Sequence, residues 1–345
     1  MASSEPKHSD APPPHVQIIQ MGFGYWVSRA LYAAAKLGLA DRLANTPRSA
    51  AELAKETGTH APSLHRLMRL LAGLGVLNTE RDGQRFSVTP LGEALKSNAH
   101  GYARETLLVL GGPMGWGAFG EYMHALETGK TGFEKAFGMP VFDYIAQHPE
   151  DAANFTKAMI GVHGDEPPAI AEAYDFSGFG TIVDVGGASG NMLIEILKRF
   201  PGPRGVLFDL PHVVRDAPER FRALGLADRF RAEGGSFFDS VPAFGDAYVI
   251  SHVIHDWNEE QCLTILRSCH KAMEPDAKLL IVEFVLPAGD AMHPGKLLDL
   301  TMLVMPGGQE RTEAEYAVLL GRAGFRLTRV VPTRSAASVV EAVKR

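Results

Sequence analysis

The stretch Thr181-Ile182-Val183-Asp184-Val185-Gly186-Gly187-Ala188-Ser189-Gly190 decides the fold of this 345-residue chain. Its first half is β-branched and apolar and reads as a buried strand. Glycine then takes over, and glycine lets a backbone turn sharply and lie close to a ligand. Asn191-Met192-Leu193 follow and open a helix, whose first N–H groups are free to meet an anionic group. Downstream, strands are predicted at Gly205–Asp209, Phe230–Ala232, Ala247–Ile250, Leu279–Glu283, Leu327–Val331 and Ser338–Val343, with helices between them. Such alternation builds a parallel α/β sheet covered on both faces, a Rossmann-like domain. Only Pro332-Thr333-Arg334-Ser335 link the last two strands. That is too short for a parallel crossover, so the last of the seven strands is predicted antiparallel.

Asp209 ends the second strand, where an acid typically takes the ribose hydroxyls of an adenosine cofactor. NAD is one candidate, but its fingerprint is Gly-x-Gly-x-x-Gly and this loop does not match that spacing. The loop instead carries Asp184 two positions before its first glycine, placed to attract the amino group of a methionine tail.

Upstream, residues 15–103 read as helical with a small β-wing. Val16 to Leu43 has apolar residues at helical spacing, and Ser49-Ala50-Ala51-Glu52 has the pattern of a capped helix start. A further helix runs through Ser63–Leu71, and Gly75–Leu77 and Arg85–Thr89 flank a turn at Arg81-Asp82-Gly83. This is a winged-helix layout. A cofactor-sensing DNA-binding regulator is one reading of it. The helix through Ser63–Leu71 carries only His65, Arg66 and Arg69 among leucines, and a net charge of -6 is the wrong sign for phosphate neutralisation. A long apolar first helix has to be covered, so dimerisation is the economical reading, with no nucleic-acid partner. Residues 104–175 form a helical connector rich in Gly, Met and aromatics, suited to wall an apolar substrate pocket. Residues 1–14 are polar and proline-rich and read as a disordered tail, without the regions of a secretory signal. No stretch approaches a membrane span of roughly 20 apolar residues. Cys262 and Cys269 lie about two turns apart on one helix, too far for a disulfide, which fits a reducing cytoplasmic setting.

In a parallel sheet, ligands sit beyond the carboxyl ends of the strands. His255 lies just past the strand Ala247–Ile250, and a histidine there suits the removal of a proton from a hydroxyl. Glu283 at the next strand end and Glu310 after the Pro306-Gly307-Gly308 turn are predicted at the same edge, able to position or polarise it. His252, His255 and Asp256 read alternatively as metal ligands, but no further Cys/His cluster completes such a site, and no metal is expected.

The run from Asp184 to Gly190, Phe208-Asp209-Leu210-Pro211-His212, Gly234–Phe238, His255-Asp256-Trp257 and Gly307–Thr312 together resemble the small-molecule O-methyltransferases typified by the plant caffeate and hydroxyindole enzymes and their bacterial secondary-metabolite relatives. The likeness covers the chain after the tail. It implies a class I methyltransferase domain over 176–345, an N-terminal winged-helix dimerisation domain and a homodimer. It implies S-adenosyl-L-methionine as cofactor, leaving S-adenosyl-L-homocysteine, and a hydroxylated, apolar, aromatic acceptor. Position by position, Gly186 contacts the cofactor, Asp209 its ribose, and Gly235, Ser236 and Phe237 the adenine side. Ser251 stands where plant members have a lysine. His255 matches the general base, Glu283 and Glu310 the two glutamates that bracket it. Met302 and Met305 fall in the stretch lining the acceptor pocket, to which Met159 of the connector is added. Three positions depart from the pattern: Ala188 replaces a frequent glycine, Ser236 an acid and Ser251 the lysine. C- or N-methylation on the same fold is the alternative chemistry.

Overall fold

The computed structural model describes residues 12–345. Residues 1–11, most of the predicted tail, lie outside the described residues. The chain divides into two compact units, one reaching Trp116 and returning for His148–Val162, the other comprising Gly117–Gln147 and His163–Arg345. The stretch read as a single connector is therefore shared between the two.

In the first unit, the helix expected from Val16 to Leu43 is three: Pro14–Gly22, Gly24–Lys36 and Leu39–Arg42. The last break falls at Gly38, whose φ of +60° ends the preceding helix. Apolar spacing survives such breaks, so periodicity alone did not reveal them. Ser49 caps Ala50–Thr57 in a reciprocal capping box with Glu52. Arg48–Ser49, Arg85–Val88 and Leu77–Thr79 pair antiparallel in the wing. Leu53, Met68, Leu71 and Phe86 close the core of this unit. Its first two helices leave Ile18 68%, Met21 73% and Trp26 50% exposed, a face that asks for cover.

The second unit is built on a seven-stranded sheet. We number its strands β1 (Thr181–Val185), β2 (Arg204–Asp209), β3 (Phe230–Gly234), β4 (Ala247–Ser251), β5 (Lys278–Glu283), β6 (Phe325–Pro332) and β7 (Ser338–Lys344). Their spatial order is β6-β7-β5-β4-β1-β2-β3. Strands β1 to β5 pair parallel, and β7 runs antiparallel to both β5 and β6, as the short link requires. The strands alternate between two cores. Val183, Val185, Ile250 and Ile281 face one, Ile182, Val249, Leu280 and Val282 the other. Cys262 and Cys269, both free and buried, sit on the helix Glu259–Ala272 in the first of these cores. Register pairs Asp209 with Gly234 and Ser251 with Val282, which aligns the carboxyl ends of β1 to β5 along one edge. Among the described residues, no helix is long and apolar enough to cross a membrane.

Candidate functional site

The edge carries two groups of residues. The first surrounds the glycine loop. Gly186, Ala188 and Gly190 all adopt positive φ (71°, 47° and 78°), so the turn is left-handed at alternate positions. Ala188 holds this conformation at a cost that glycine would avoid. A Cβ on Gly187 would stand 2.5 Å from the Asp184 carboxylate, and one on Gly186 would meet Val253 at 2.8 Å. The loop thus has room for backbone alone.

Asp209 Oδ2 accepts the Ala188 N–H at 2.9 Å and Oδ1 the Leu210 N–H at 2.6 Å, so Asp209 and the loop hold each other. Asp184 is buried beside the start of the helix Asn191–Arg199, where the Leu193 N–H favours its charge but neither carboxyl oxygen has a well-formed hydrogen bond. Burial, then the charge of Asp209, pushes its pKa up to about 7. A carboxyl group in that position gains from a cation placed beside it. Phe237 lies against Gly186 and packs on Phe238 and Trp257, with ring centroids 4.9 and 6.0 Å away. Ser236 Oγ accepts the Phe238 N–H at 3.2 Å and so shapes its own loop. Gly235 packs against the Phe208 ring, and Ser251 ends β4 half-buried.

The second group surrounds His255, in a short turn Ile254–Asp256 beyond β4. His255 Nδ1 lies 2.6 Å from Glu310 Oε1. The His255 N–H donates to Glu283 Oε1 at 3.1 Å, and the Tyr316 hydroxyl donates to Glu283 Oε2. The two glutamates predicted to bracket the ring are thus placed differently: Glu310 reaches the imidazole, while Glu283 holds the backbone beneath it. On the other side of the ring, Asp256 Oδ1 stands 3.7 Å from Nε2. His255, Glu283 and Glu310 are all buried.

Burial alone would depress the His255 pKa, but Asp256, Glu310 and Glu283 outweigh it and raise it to about 10. Burial raises Asp256 to about 6 against the pull of His255, and raises Glu310 likewise. Donor atoms of His255, Glu283 and Glu310 lie within 4.8 Å of one another, a spacing a cation could use. In the structure each is engaged in the hydrogen bonds just described.

The backbone delivers this arrangement. The Gln309 N–H donates to the His255 carbonyl at 2.9 Å. A Cβ on Gly308 would collide with that same carbonyl oxygen. The Glu310 N–H donates to Asp299 Oδ1 at 2.8 Å, and Arg311–Thr312 pair parallel with Val285–Leu286 just after β5. Met302 and Met305, at the end of the helix Pro294–Val304 that carries Asp299, are buried in the same unit. Met159 lies in the first unit, on the helix Pro149–His163. Sequence reasoning missed Tyr316, which sits on the buried face of Glu313–Arg322 with nothing local to mark it. Asp256, read in the sequence beside His255 only as an alternative metal ligand, stands next to the Nε2 side of the ring.

Comparison with known proteins agrees on the class. The O-methyltransferase domain family matches residues 119–326, and the O-methyltransferase dimerisation domain family matches residues 19–98. The chain is 44% identical over 325 residues to the phenazine O-methyltransferase PhzM of Lysobacter antibioticus, covering 94% of this chain and 95% of that one. It is 34% identical to an 8-amino-8-demethylriboflavin N,N-dimethyltransferase of Streptomyces davaonensis, covering 91% of each. An O-methyltransferase from neocarzinostatin biosynthesis, solved with S-adenosylmethionine and 2-hydroxy-5-methyl naphthoic acid, superposes with a TM-score of 0.81 at 33% identity. That match covers 92% of this chain and 96% of the other.

Proposed function

Because the chain belongs to the O-methyltransferase family, we propose that it moves the methyl group of S-adenosylmethionine onto a hydroxyl of an apolar aromatic small molecule. The observation that carries this reading is the buried His255–Glu310 pair at the same sheet edge as the glycine loop. The sulfonium, when bound, supplies an already activated methyl group.

The residues present suit that cofactor. Asp209 is placed for the ribose hydroxyls, Gly186 leaves the backbone bare, and Gly235, Ser236 and Phe237 form the adenine side. The orphaned carboxyl group of Asp184 suits a cationic amino end, and Ser251 continues the same edge. Met302, Met305 and Met159 are assigned to the acceptor wall, where flexible thioethers adapt to flat apolar shapes. The face left exposed on the first two helices agrees with a homodimer formed through the dimerisation domain.

The hydroxyl must lose its proton as its oxygen becomes an ether. In this reading His255 takes that proton at Nε2, the nitrogen not turned to Glu310, and Glu310 stabilises the resulting imidazolium. A ring raised to about 10 holds a proton at neutral pH, so the competent, deprotonated fraction grows as pH rises. Glu283 keeps the turn in place and touches no reacting atom. No metal is assigned a step. Methylation assays with S-adenosylmethionine and hydroxylated arenes, with the product's methylated atom fixed by NMR, test the reading. A methyl found on carbon overturns it.

N-methylation is the second reading, supported by the similarity to the N,N-dimethyltransferase. A neutral amine attacks without first losing a proton, so turnover on an amine acceptor would survive removal of the His255 imidazole.

A further inference from the structure

Beside the His255–Glu310 pair stands a second one built alike. His252 Nε2 lies 2.6 Å from Glu166 Oε2, the same separation as in the first pair, and the two imidazole centroids are 5.2 Å apart. Glu166 opens the helix Glu166–Ala173, and like His252 its side chain is at least nine-tenths buried. The His252 backbone is left-handed, with φ of +50°, a conformation only a few per cent of non-glycine residues adopt. The His163 ring lies tilted against His252 with centroids 3.8 Å apart, and Phe284 meets it edge-on at 5.7 Å.

The chemistry of this pair fixes its tautomer. An ionised carboxylate only accepts, so Nε2 of His252 carries the hydrogen and Nδ1 keeps a lone pair. Burial, then His163, holds the ring neutral against Glu166, which itself stays ionised. Nδ1 is thus a hydrogen-bond acceptor, and it is buried without any partner. An unsatisfied buried acceptor beside the reacting histidine costs free energy, and a ligand that brings a donor offsets that cost.

We propose that His252, held by Glu166, reads a second hydrogen-bond donor on the acceptor molecule, a hydroxyl or N–H on the ring atom next to the hydroxyl that is methylated. The acceptor class is then vicinal dihydroxy- or amino-hydroxyarenes. This rests on the reading of His255 as the site of methyl transfer. His252 acts as a specificity residue and Glu166 as its positioning residue. The donor atoms of His163, Glu166 and His252 also cluster within 4.8 Å. A 2.6 Å contact is the length of a charge-assisted hydrogen bond. Two ligands on a tetrahedral ion ~2.0 Å from each would stand roughly 3.3 Å apart.

The experiment compares kcat/KM for 2,3-dihydroxynaphthalene and 2-naphthol in the wild type and in His252→Phe, His252→Asn and Glu166→Gln, with the metal content of each protein measured. The wild type is expected to favour the diol by about 10-fold or more, mainly through KM, because a site built to bond a polar group rejects the analogue lacking it. His252→Phe brings the ratio to about two, the statistical value for two equivalent hydroxyls. His252→Asn tolerates the left-handed backbone and keeps an acceptor, so it retains part of the preference. Glu166→Gln lowers it. If the wild type methylates both probes with no preference, or the preference survives in His252→Phe, the proposal fails while the proposed function stands. Stoichiometric metal lost in His252→Phe also overturns it. If the wild type methylates neither probe, the proposal fails while the proposed function stands on its own assay, and a methyl found on carbon overturns both.

Discussion

The glycine loop and the His255 cluster share one sheet edge and are built by opposite means. The loop is local: the continuous run Thr181–Leu193 supplies strand, turn and helix start, and its surface is backbone exposed by absent side chains. The cluster is assembled from the end of β4, the end of β5, the Gly307-Gly308 turn and the helix Glu313–Arg322, and works through side chains whose charges answer one another. The loop should therefore fail by losing space, and the cluster by losing charge balance.

The largest expected effect breaks the cluster alone. His255→Ala should lower turnover of a hydroxylated acceptor by about 100-fold or more, while calorimetry shows S-adenosylmethionine binding unchanged. Equal losses in both would mean that the two groups are not separable. Glu310→Gln sharpens the electrostatic half. Turnover should fall by roughly 10- to 100-fold. With one carboxylate fewer, the His255 pKa drops, so the rise of kcat/KM with pH shifts to lower pH; a shift upward would contradict the assignment. Gly187→Ala attacks the loop. Its Cβ meets the Asp184 carboxylate, and S-adenosylmethionine should bind about 10-fold more weakly, with turnover at saturation nearly intact. The smallest effect concerns the support. Tyr316→Phe leaves Glu283 without its hydroxyl donor and should cost about 1–3 kcal/mol of stability by denaturant titration, with little change in kcat.

The charge cluster also marks the stability curve. The folded pKa of His255 lies above the ordinary value of 6.5, so its stabilising contribution is complete below pH 6.5. It is lost as pH rises through about 10. In His255→Ala the decline of stability over that window should flatten.

The same contrast governs what the sequence revealed. The loop, the strands and the antiparallel β7 could be read because each depends on neighbours in the chain. Glycines mark the turn, β-branched runs mark the strands, and a short link dictates direction. The positions of His255, Glu283 and Glu310 at one edge follow from the same logic, since parallel strands end together. What each glutamate touches does not follow. Glu283 turns to a backbone N–H and a tyrosine because Tyr316, far along the chain, is the donor that meets it. Glu166 and His252 are likewise distant in sequence, and each carries only an unremarkable local pattern. The divided first helix escaped notice because a turn at Gly38 does not disturb the spacing of apolar residues on either side.

The backbone of His255 is gripped on both sides, its N–H by Glu283 and its carbonyl by Gln309. An amide bonded to a buried carboxylate exchanges its hydrogen with solvent only when that grip opens. The His255 amide is therefore a built-in gauge. Its exchange lifetime reports how often the Ile254–Asp256 turn comes apart, in a resting protein with no ligand added.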